Sequence, residues 1–171
     1  MFIFFIFKKN DSLQLCINYK KLNLITIKNH YFLLLIDKTL NQLFSVSIFT
    51  QLDFKNVYYC IYIKEDNKWK TVFCTCYEYY EYQVVFFSLT NISIMFQVYI
   101  NKTLSNLLNI CCIVYLNDIL IYSNLKKQHY CHICKVLEYL HKYRFYVKIS
   151  KYFFKIDIVN FLNFIVSSHS I

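Results

Sequence analysis

The sequence predicts a protein of the α+β class. The chain has 171 residues, 57% of them hydrophobic and 20% aromatic, which suits one domain or a compact piece of a larger protein. Segments with strand-like alternation and segments with helical spacing mix along the chain without a regular strand–helix repeat. Glycine and proline are absent, so the turns have to be located from clusters of Asn, Asp, Ser and Lys.

The first quarter of the chain predicts short elements. The opening segment 1–7, MFIFFIF, is too short to span a membrane and is a strand or a ragged end. Residues 8–15 predict a basic hairpin with its tip at 10–12, and residues 18–29 a polar loop. Residues 37–43 predict a short helix.

The middle of the chain predicts strands with charged connections. Segment 49–53 has an apolar start and an acidic end, and segment 58–63 shows strand-like alternation, so both segments predict strands. Residues 64–70, KEDNKWK, predict a charged turn. A hairpin is expected from 71–76 and 80–86.

The second half predicts two helices and further strands. Apolar residues at helical spacing predict helices over 91–108 and 126–143. Between them, 113–122 (IVYLNDILIY) predicts two strands joined by a tight turn. Residues 145–149 and 159–166 predict closing strands.

Acidic residues stand at two strand ends in otherwise apolar surroundings. Asp118 lies in the turn of the second-half hairpin, next to Asn117, and Asp53 ends the strand 49–53. A carboxylate is costly to bury unless it meets a cation. Two such strand ends brought together predict a divalent-metal site for phosphoryl transfer.

Charge and cysteine content narrow the function classes. The net charge of +9 favours a polyanionic partner, and with the acidic strand ends nucleic acid is preferred over a membrane surface. The eight cysteines include Cys131 and Cys134 near His129, a partial zinc-like spacing without a second pair. A helical pattern through this stretch puts these side chains on different faces, which argues against zinc. A membrane span over 107–122 is a minor alternative, because Asp118 would oppose insertion.

Seven ordered motifs resemble the reverse transcriptase of gypsy-type LTR retrotransposons, in register from about residue 8 to residue 171. They are LCINYKKLNLITIKNHY, IFTQLDF, WKTVFCTCYEYYEY, FFSLTNISIMFQ, YLNDILIYS, YVKISKYFF and VNFLNFIVS. The resemblance implies the fingers (about 8–28 and 61–91) and palm (about 29–60 and 92–171) of a right-hand polymerase, with the thumb absent.

The resemblance also implies site residues for an RNA-directed DNA polymerase. In the family, two Mg²⁺ ions held by three aspartates join a primer end to an incoming nucleotide; Asp53 and Asp118 match two of these aspartates, and Asn117 stands at the third. The Phe54 carbonyl is an expected additional metal ligand. The residues matching the dNTP pocket are Lys8 or Lys9, Gln14, Tyr58, Phe87 and Ser88. Those matching the primer grip are Phe161, Leu162 and Asn163. The implied partners are an RNA or DNA template with its primer and dNTP, and no membrane.

Departures from the family pattern predict a weakened enzyme. Asn117 removes one negative charge from the metal site, and Gln14 replaces an arginine that clasps the triphosphate. The departures mostly replace residues with GC-rich codons, which indicates a degenerate, AT-biased copy. The alternative function is a non-catalytic relic or a basic nucleic-acid-binding module. Five residues stand where the family has glycine and are expected in strained left-handed geometry: Asp11, Asn56, Glu78, Ser88 and Asn163.

Overall fold

The computed structural model describes residues 3–7, 11–31, 41–43, 46–55, 57–148, 153–156, 158–162 and 164–167. The chain divides into two compact units, each built from two separate segments. The first unit comprises Met1–His30 and Tyr58–Ser93, and the second comprises Tyr31–Val57 and Ile94–Ile171. The predicted helix over 37–43 lies mostly outside the described residues.

The first unit is made of short ladders and turns. Its strands are β1 (Ile3–Phe7), β2 (Leu13–Ile17), β4 (Phe73–Cys74) and β5 (Tyr79–Tyr80), which form two antiparallel hairpins, β1–β2 and β4–β5. Helix α1 (Lys20–Ile25) and a 3-10 helix (Glu65–Thr71) complete it. The core contains the buried side chains of Ile17, Tyr19, Phe73 and Phe86.

Two expectations for the first unit are wrong. Residues 18–29 contain α1 where a loop was predicted; the helix has no side-chain cap and no buried residue, so its sequence carries no amphipathic signal. The segment predicted as a strand over 58–63 begins instead as a 3-10 helix, Val57–Cys60. Strand-like pairing starts only at Ile61 and Ile63, whose backbones bond to Val85 and Gln83.

The second unit is built on a five-stranded antiparallel sheet. The strands in this sheet are β3 (Ile48–Lys55), β6 (Cys112–Tyr115), β7 (Asp118–Ser123), β8 (Tyr146–Val147) and β9 (Phe153–Ile156). Strand β3 is central: β7 pairs with it on one side, and β8 and β9 pair with successive parts of its other side. Strand β6 lies outside β7.

Two helices and a second hairpin complete this unit. Helix α2 spans Ile92–Thr103 and ends five residues before the predicted bound of 108, whereas α3 spans Lys126–Lys142, within one residue of its predicted bounds. The predicted single strand over 159–166 is wrong: it is a hairpin of β10 (Ile158–Phe161) and β11 (Phe164–Ser167). Leu162 adopts a positive φ at the reversal, so no glycine marks this turn in the sequence. This hairpin buries Val159, Phe161 and Val166 against Phe49 and Leu120 of the sheet.

The expectation of strained geometry at the glycine-replacing positions is only partly met. Among the described residues, positive φ occurs at Asp11, Asn109, Leu116, Arg144 and Leu162. Asp11 is as expected, but Glu78 and Ser88 do not adopt such geometry. At Glu78 the physical reason is the Thr75 hydroxyl, which accepts hydrogen bonds from the Tyr77 and Glu78 N–H groups and closes the turn without a left-handed residue. Asn56 and Asn163 lie outside the described residues.

Candidate active site

Asp53 and Asp118 stand directly opposite each other in the second unit. Asp53 lies near the end of β3 and Asp118 begins β7, and the antiparallel register pairs the two residues. Opposite residues of an antiparallel pair project from the same face, with Cβ atoms about 4.5–5.5 Å apart. The two predicted carboxylates are therefore neighbours on one face. We call Asp53, Leu116, Asn117 and Asp118 the tip.

The turn of the tip is attached to β3 through its backbone. The Phe54 N–H donates a hydrogen bond of 3.0 Å to the Asn117 carbonyl oxygen. Leu116 turns the chain with φ +49°, and Asn117 is exposed. The turn thus places the neutral amide of Asn117 beside the aspartate pair.

Gln97 of α2 holds this turn, and the sequence analysis did not identify it. Its side chain is 2% exposed; its Oε1 accepts a hydrogen bond of 2.7 Å from the Leu116 N–H, and its Nε2 donates one of 3.0 Å to the Val114 carbonyl. A polar residue between Phe96 and Ile100 on the buried face of a helix needs a partner, and this was the available signal.

Lys148 approaches Asp53 from the other side of β3 and was also missed. Its Nζ lies 3.0 Å from Asp53 Oδ2, and its N–H donates a hydrogen bond of 2.8 Å to the Asp53 carbonyl. The side chains of Asp53 and Lys148 are 15% and 39% exposed. Sequence offered no signal for this pairing, because 95 residues separate the two positions.

A buried polar network lies on the other face of β3. Thr50 Oγ1 lies 2.8 Å from His129 Nε2, and Ser123 Oγ lies 3.0 Å from His129 Nδ1 and 2.7 Å from His132 Nδ1. His129 is fully buried, whereas His132 is partly exposed. We call Thr50, Ser123, His129 and His132 the histidine network; it ties α3 to the two strands that carry the aspartates.

Buried tyrosines in both units are held neutral. Burial, with Cys112 and Cys111 nearby, raises the pKa of Tyr122 on β7 to about 12. Within the described part of the chain its hydroxyl has no hydrogen-bond partner. In the first unit, burial raises the pKa of Tyr19, whose hydroxyl donates to the Thr71 carbonyl. These tyrosines favour folding only while they are protonated.

The residues predicted for the dNTP pocket belong to the first unit. Gln14 is half-buried on β2, and Tyr58 is half-buried in the 3-10 helix after β3. The Phe87 ring packs 4.3 Å from that of Phe86. The Ser88 hydroxyl donates to the Ile17 carbonyl, so this side chain serves the packing of its own unit. Lys8 and Lys9 lie outside the described residues.

Two of the residues predicted for the primer grip are described, at the end of β10 and at the reversal that follows it. Phe161 is fully buried in the core of the second unit, and Leu162 packs against that core at the turn. Asn163 lies outside the described residues. The structure thus gives Phe161 a packing role.

The two minor alternatives, a zinc site and a membrane span, can be compared with the described residues. Within them, no cluster of three or more His, Cys, Asp or Glu side chains is arranged to hold a metal ion. The eight cysteines are all free thiols, and Cys131 is exposed on α3. No helix in the described ranges is long and apolar enough to cross a membrane.

Comparison with known proteins agrees with the motif order. Residues 6–166 match the family described as reverse transcriptase (RNA-dependent DNA polymerase). The chain is similar to the retrovirus-related Pol polyprotein from transposon gypsy of Drosophila melanogaster, with 34% identity over 92% of this chain and 15% of that protein. It is also similar to an RNA-directed DNA polymerase homolog of Oenothera berteroana, with 35% identity over 74% of this chain and 92% of that one.

A solved structure supports the same fold. The foamy viral protease-reverse transcriptase in complex with RNA/DNA hybrid superposes with a TM-score of 0.81 at 18% identity, covering 97% of this chain and 22% of that one. The chain spans only 12–15% of the length of the transposon polyproteins that it matches. With a family match over nearly its whole length and the expected mixture of helix and strand, the chain belongs to the reverse transcriptase family and is similar to the reverse transcriptase domains of LTR-retrotransposon polyproteins.

Proposed function

We propose that this chain supplies the fingers and palm of an RNA-directed DNA polymerase whose active site is weakened by Asn117 and Gln14. The first unit corresponds to the fingers and the second to the palm. The observation that carries the proposal is the pairing of Asp53 with Asp118 on one face of the central strand. Two carboxylates held opposite each other repel unless a cation lies between them. A pair of carboxylates on one face is also a ligand arrangement that suits a divalent ion.

The tip is proposed to bind Mg²⁺ more weakly than the two-ion site of the family. Asp53 and Asp118 would hold it, with the Phe54 carbonyl as a further ligand, and Asn117 would contribute at most a neutral oxygen. When bound, the metal would stabilise the charge that develops during phosphoryl transfer. The chain's own contribution is positional: Gln97 and the Phe54 N–H fix the turn, so the two carboxylates stay on one face.

The same proposal assigns weaker nucleotide binding to the first unit. Gln14 cannot form the charged, bidentate contact that an arginine makes with a triphosphate. Tyr58 is proposed to lie under the sugar of the dNTP, with Phe87 and Ser88 beside it, and Lys8 or Lys9 to contact phosphate. The proposed partners are an RNA or DNA template with its primer, in line with the hybrid bound by the foamy viral relative.

A second candidate function is template binding without synthesis. It is favoured by Asn117 at the tip together with the net charge of +9, because phosphate contacts need cations and not metal ligands. A basic, folded relic would bind a template–primer and release it in high salt, with no extension.

Primer extension separates the two candidates. We would compare the chain with its Asn117→Asp and Asp53→Asn variants on one template–primer, with Mg²⁺ and dNTP, and measure binding by fluorescence anisotropy. Asn117→Asp should extend at least about 10²-fold faster than the unchanged chain, the scale of one lost transition-state contact, and Asp53→Asn should be inactive. Equal rates for the unchanged chain and Asn117→Asp would contradict the impairment. Tight binding without extension by either would favour the binding module, and no binding would overturn both candidates.

A further inference from the structure

We propose that Lys148 is a built-in counter-cation of the active site, which neutralises Asp53 when no metal is bound and which a divalent ion has to displace. The inference rests on the proposed function in taking Asp53 as a metal ligand. It concerns a residue that the motif comparison did not assign.

The register of the sheet places Lys148 directly across from Asp53. Strand β8 pairs Val147 with Phe54 and Tyr146 with Lys55, so the next position along the same antiparallel register joins Lys148 to Asp53. The backbone hydrogen bond from the Lys148 N–H to the Asp53 carbonyl continues this pairing. On the opposite side of β3, Asp118 faces Asp53. The three side chains therefore form a row across three strands: acid, acid, base.

Two contacts hold Lys148 next to Asp53. Lys148 is attached to Asp53 twice, by its backbone and by its ammonium group, whose Nζ lies 3.0 Å from Asp53 Oδ2. A lysine fixed at its own backbone loses less freedom on pairing than one that reaches over from a distant surface. The Asp53 side chain is also only 15% exposed, so water screens the pair less than it would a surface ion pair.

The net charge of these three side chains affects how strongly a divalent metal ion binds. Asp118, Asp53 and Lys148 sum to a charge of −1, and Asn117 adds none. A divalent cation approaching Asp53 thus meets a carboxylate that already has an ammonium partner and is repelled by that ammonium. Removing the ammonium takes away its repulsion of the metal, and it also leaves Asp53 with one cationic contact fewer when metal is absent.

Binding of Mn²⁺, followed by electron paramagnetic resonance without template or dNTP, tests the inference. Lys148→Met should tighten Mn²⁺ binding about tenfold, the effect of removing one competing charge at a half-buried site. Lys148→Gln should do the same, and Lys148→Arg should retain the affinity of the unchanged chain. Lys127→Met is the matched control: it removes one positive charge from an exposed position on α3 and should leave the affinity within about twofold.

Thermal unfolding gives a second readout that does not depend on activity. Without metal, Lys148→Met should melt several degrees below the unchanged chain, and Mg²⁺ should restore more of its Tm than it adds to the unchanged chain. Equal Mn²⁺ affinities for Lys148→Met and Lys127→Met, or weaker binding by both neutral Lys148 variants, would overturn the inference. So would an Asp53→Asn variant that keeps the Mn²⁺ affinity. Because neither readout involves extension, a failed polymerase assay and a failed counter-cation assay are distinguishable.

Discussion

The tip and the histidine network are close together in the same sheet, yet they differ in what holds them. The tip is half-exposed, and its charge depends on single groups: Asn117 contributes a neutral amide, and Asp53 is paired with Lys148. The histidine network is buried on the other face of β3, and its hydroxyl and imidazole groups satisfy one another. Asn and Asp are nearly the same size, so the tip can lose its charge and keep its shape.

The difference teaches that fold and chemistry are specified by separate parts of the sheet. The apolar strands and the histidine network fix the positions of β3 and β7, whatever charge the tip carries. Substitutions in the histidine network are therefore expected to act mainly on stability. Changes of charge at the tip, such as Asn117→Asp, are expected to act on the proposed catalysis with little change in the free energy of unfolding.

The largest expected effect on stability comes from His129→Ala. The change removes a fully buried ring, leaves a cavity and removes the contacts that His129 makes with Thr50 and Ser123, although Ser123 keeps His132. A loss of about 3 kcal/mol in the free energy of unfolding follows from the cavity and from the lost hydrogen bonds of the buried ring. Urea denaturation followed by circular dichroism measures it.

His132→Ala is the matched control within the same helix. His132 shares only Ser123 and is partly exposed, so its loss should cost about 1 kcal/mol. Equal losses for the two variants would show that the buried histidine does not hold the sheet, and the contrast between the histidine network and the tip would disappear.

Gln97→Leu should produce the next largest effect, because it tests the link between α2 and the tip. Leucine fills a similar volume but leaves the Leu116 N–H and the Val114 carbonyl without their side-chain partner. The expected loss is about 2 kcal/mol, the cost of leaving buried backbone groups unpaired. Chemical denaturation measures the loss, and hydrogen exchange at Leu116 reports on the turn itself.

The control for this change is Gln83→Leu, an exposed glutamine in the first unit. It should alter the free energy of unfolding by less than about 0.5 kcal/mol. If Gln97→Leu were as mild as Gln83→Leu, the turn of the tip would be held by its backbone contact to Phe54 alone.

Leu116→Gly should stabilise the protein slightly. Leu116 has φ +49°, a region that costs a side chain with a Cβ about 1–2 kcal/mol. Glycine relieves that cost but adds freedom to the unfolded chain, so the net gain is roughly 0.5–1 kcal/mol. Leu162→Gly, at the reversal of the β10–β11 hairpin, should gain less because Leu162 packs against the core. A loss of stability in Leu116→Gly would contradict the strain assigned to the tip.

The elements that were predicted well from the sequence have a regular pattern of apolar residues, and these residues are buried in the structure. Strand β3, the β6–β7 hairpin and helices α2 and α3 all follow their patterns closely, and the acidic ends of β3 and β7 meet as expected. The bounds of these helices and strands depend on the spacing of apolar side chains within each element, and a local sequence pattern shows that spacing.

The features that sequence missed depend on contacts between distant residues or on turns without glycine. Helix α1 has no apolar face, and the reversal at Leu162 uses a residue that normally avoids positive φ. Lys148 reaches Asp53 only because β8 pairs with β3, and Gln97 reaches the tip only because α2 packs beside it. No local signal fixes such pairings, whereas the buried polar position of Gln97 at least indicated that a partner was needed.

The smallest expected effect tests the one buried group in this sheet that lacks a partner among the described residues. The Tyr122 hydroxyl is buried on β7 without a hydrogen bond there. Tyr122→Phe removes an unpaired polar group without a change of shape, and should stabilise the protein by about 0.5 kcal/mol at neutral pH. Urea denaturation at pH 7 measures this gain, and Tyr115→Phe is the control, because Tyr115 is only partly buried.

The gain from Tyr122→Phe should widen in alkali. Burial raises the pKa of Tyr122 to about 12, above the value of about 10 in the unfolded chain. The neutral Tyr122 therefore makes its full contribution to the free energy of unfolding below about pH 10. This contribution is lost as the pH rises through about 12, because the tyrosine of the unfolded chain releases its proton at a lower pH than that of the folded chain. The phenylalanine variant has no such proton to lose, so it should resist unfolding between about pH 10 and 12 better than the unchanged chain. An identical alkaline transition in both proteins would show that Tyr122 ionises as readily in the sheet as in water, and that this face of β7 is open to solvent where the histidine network is not.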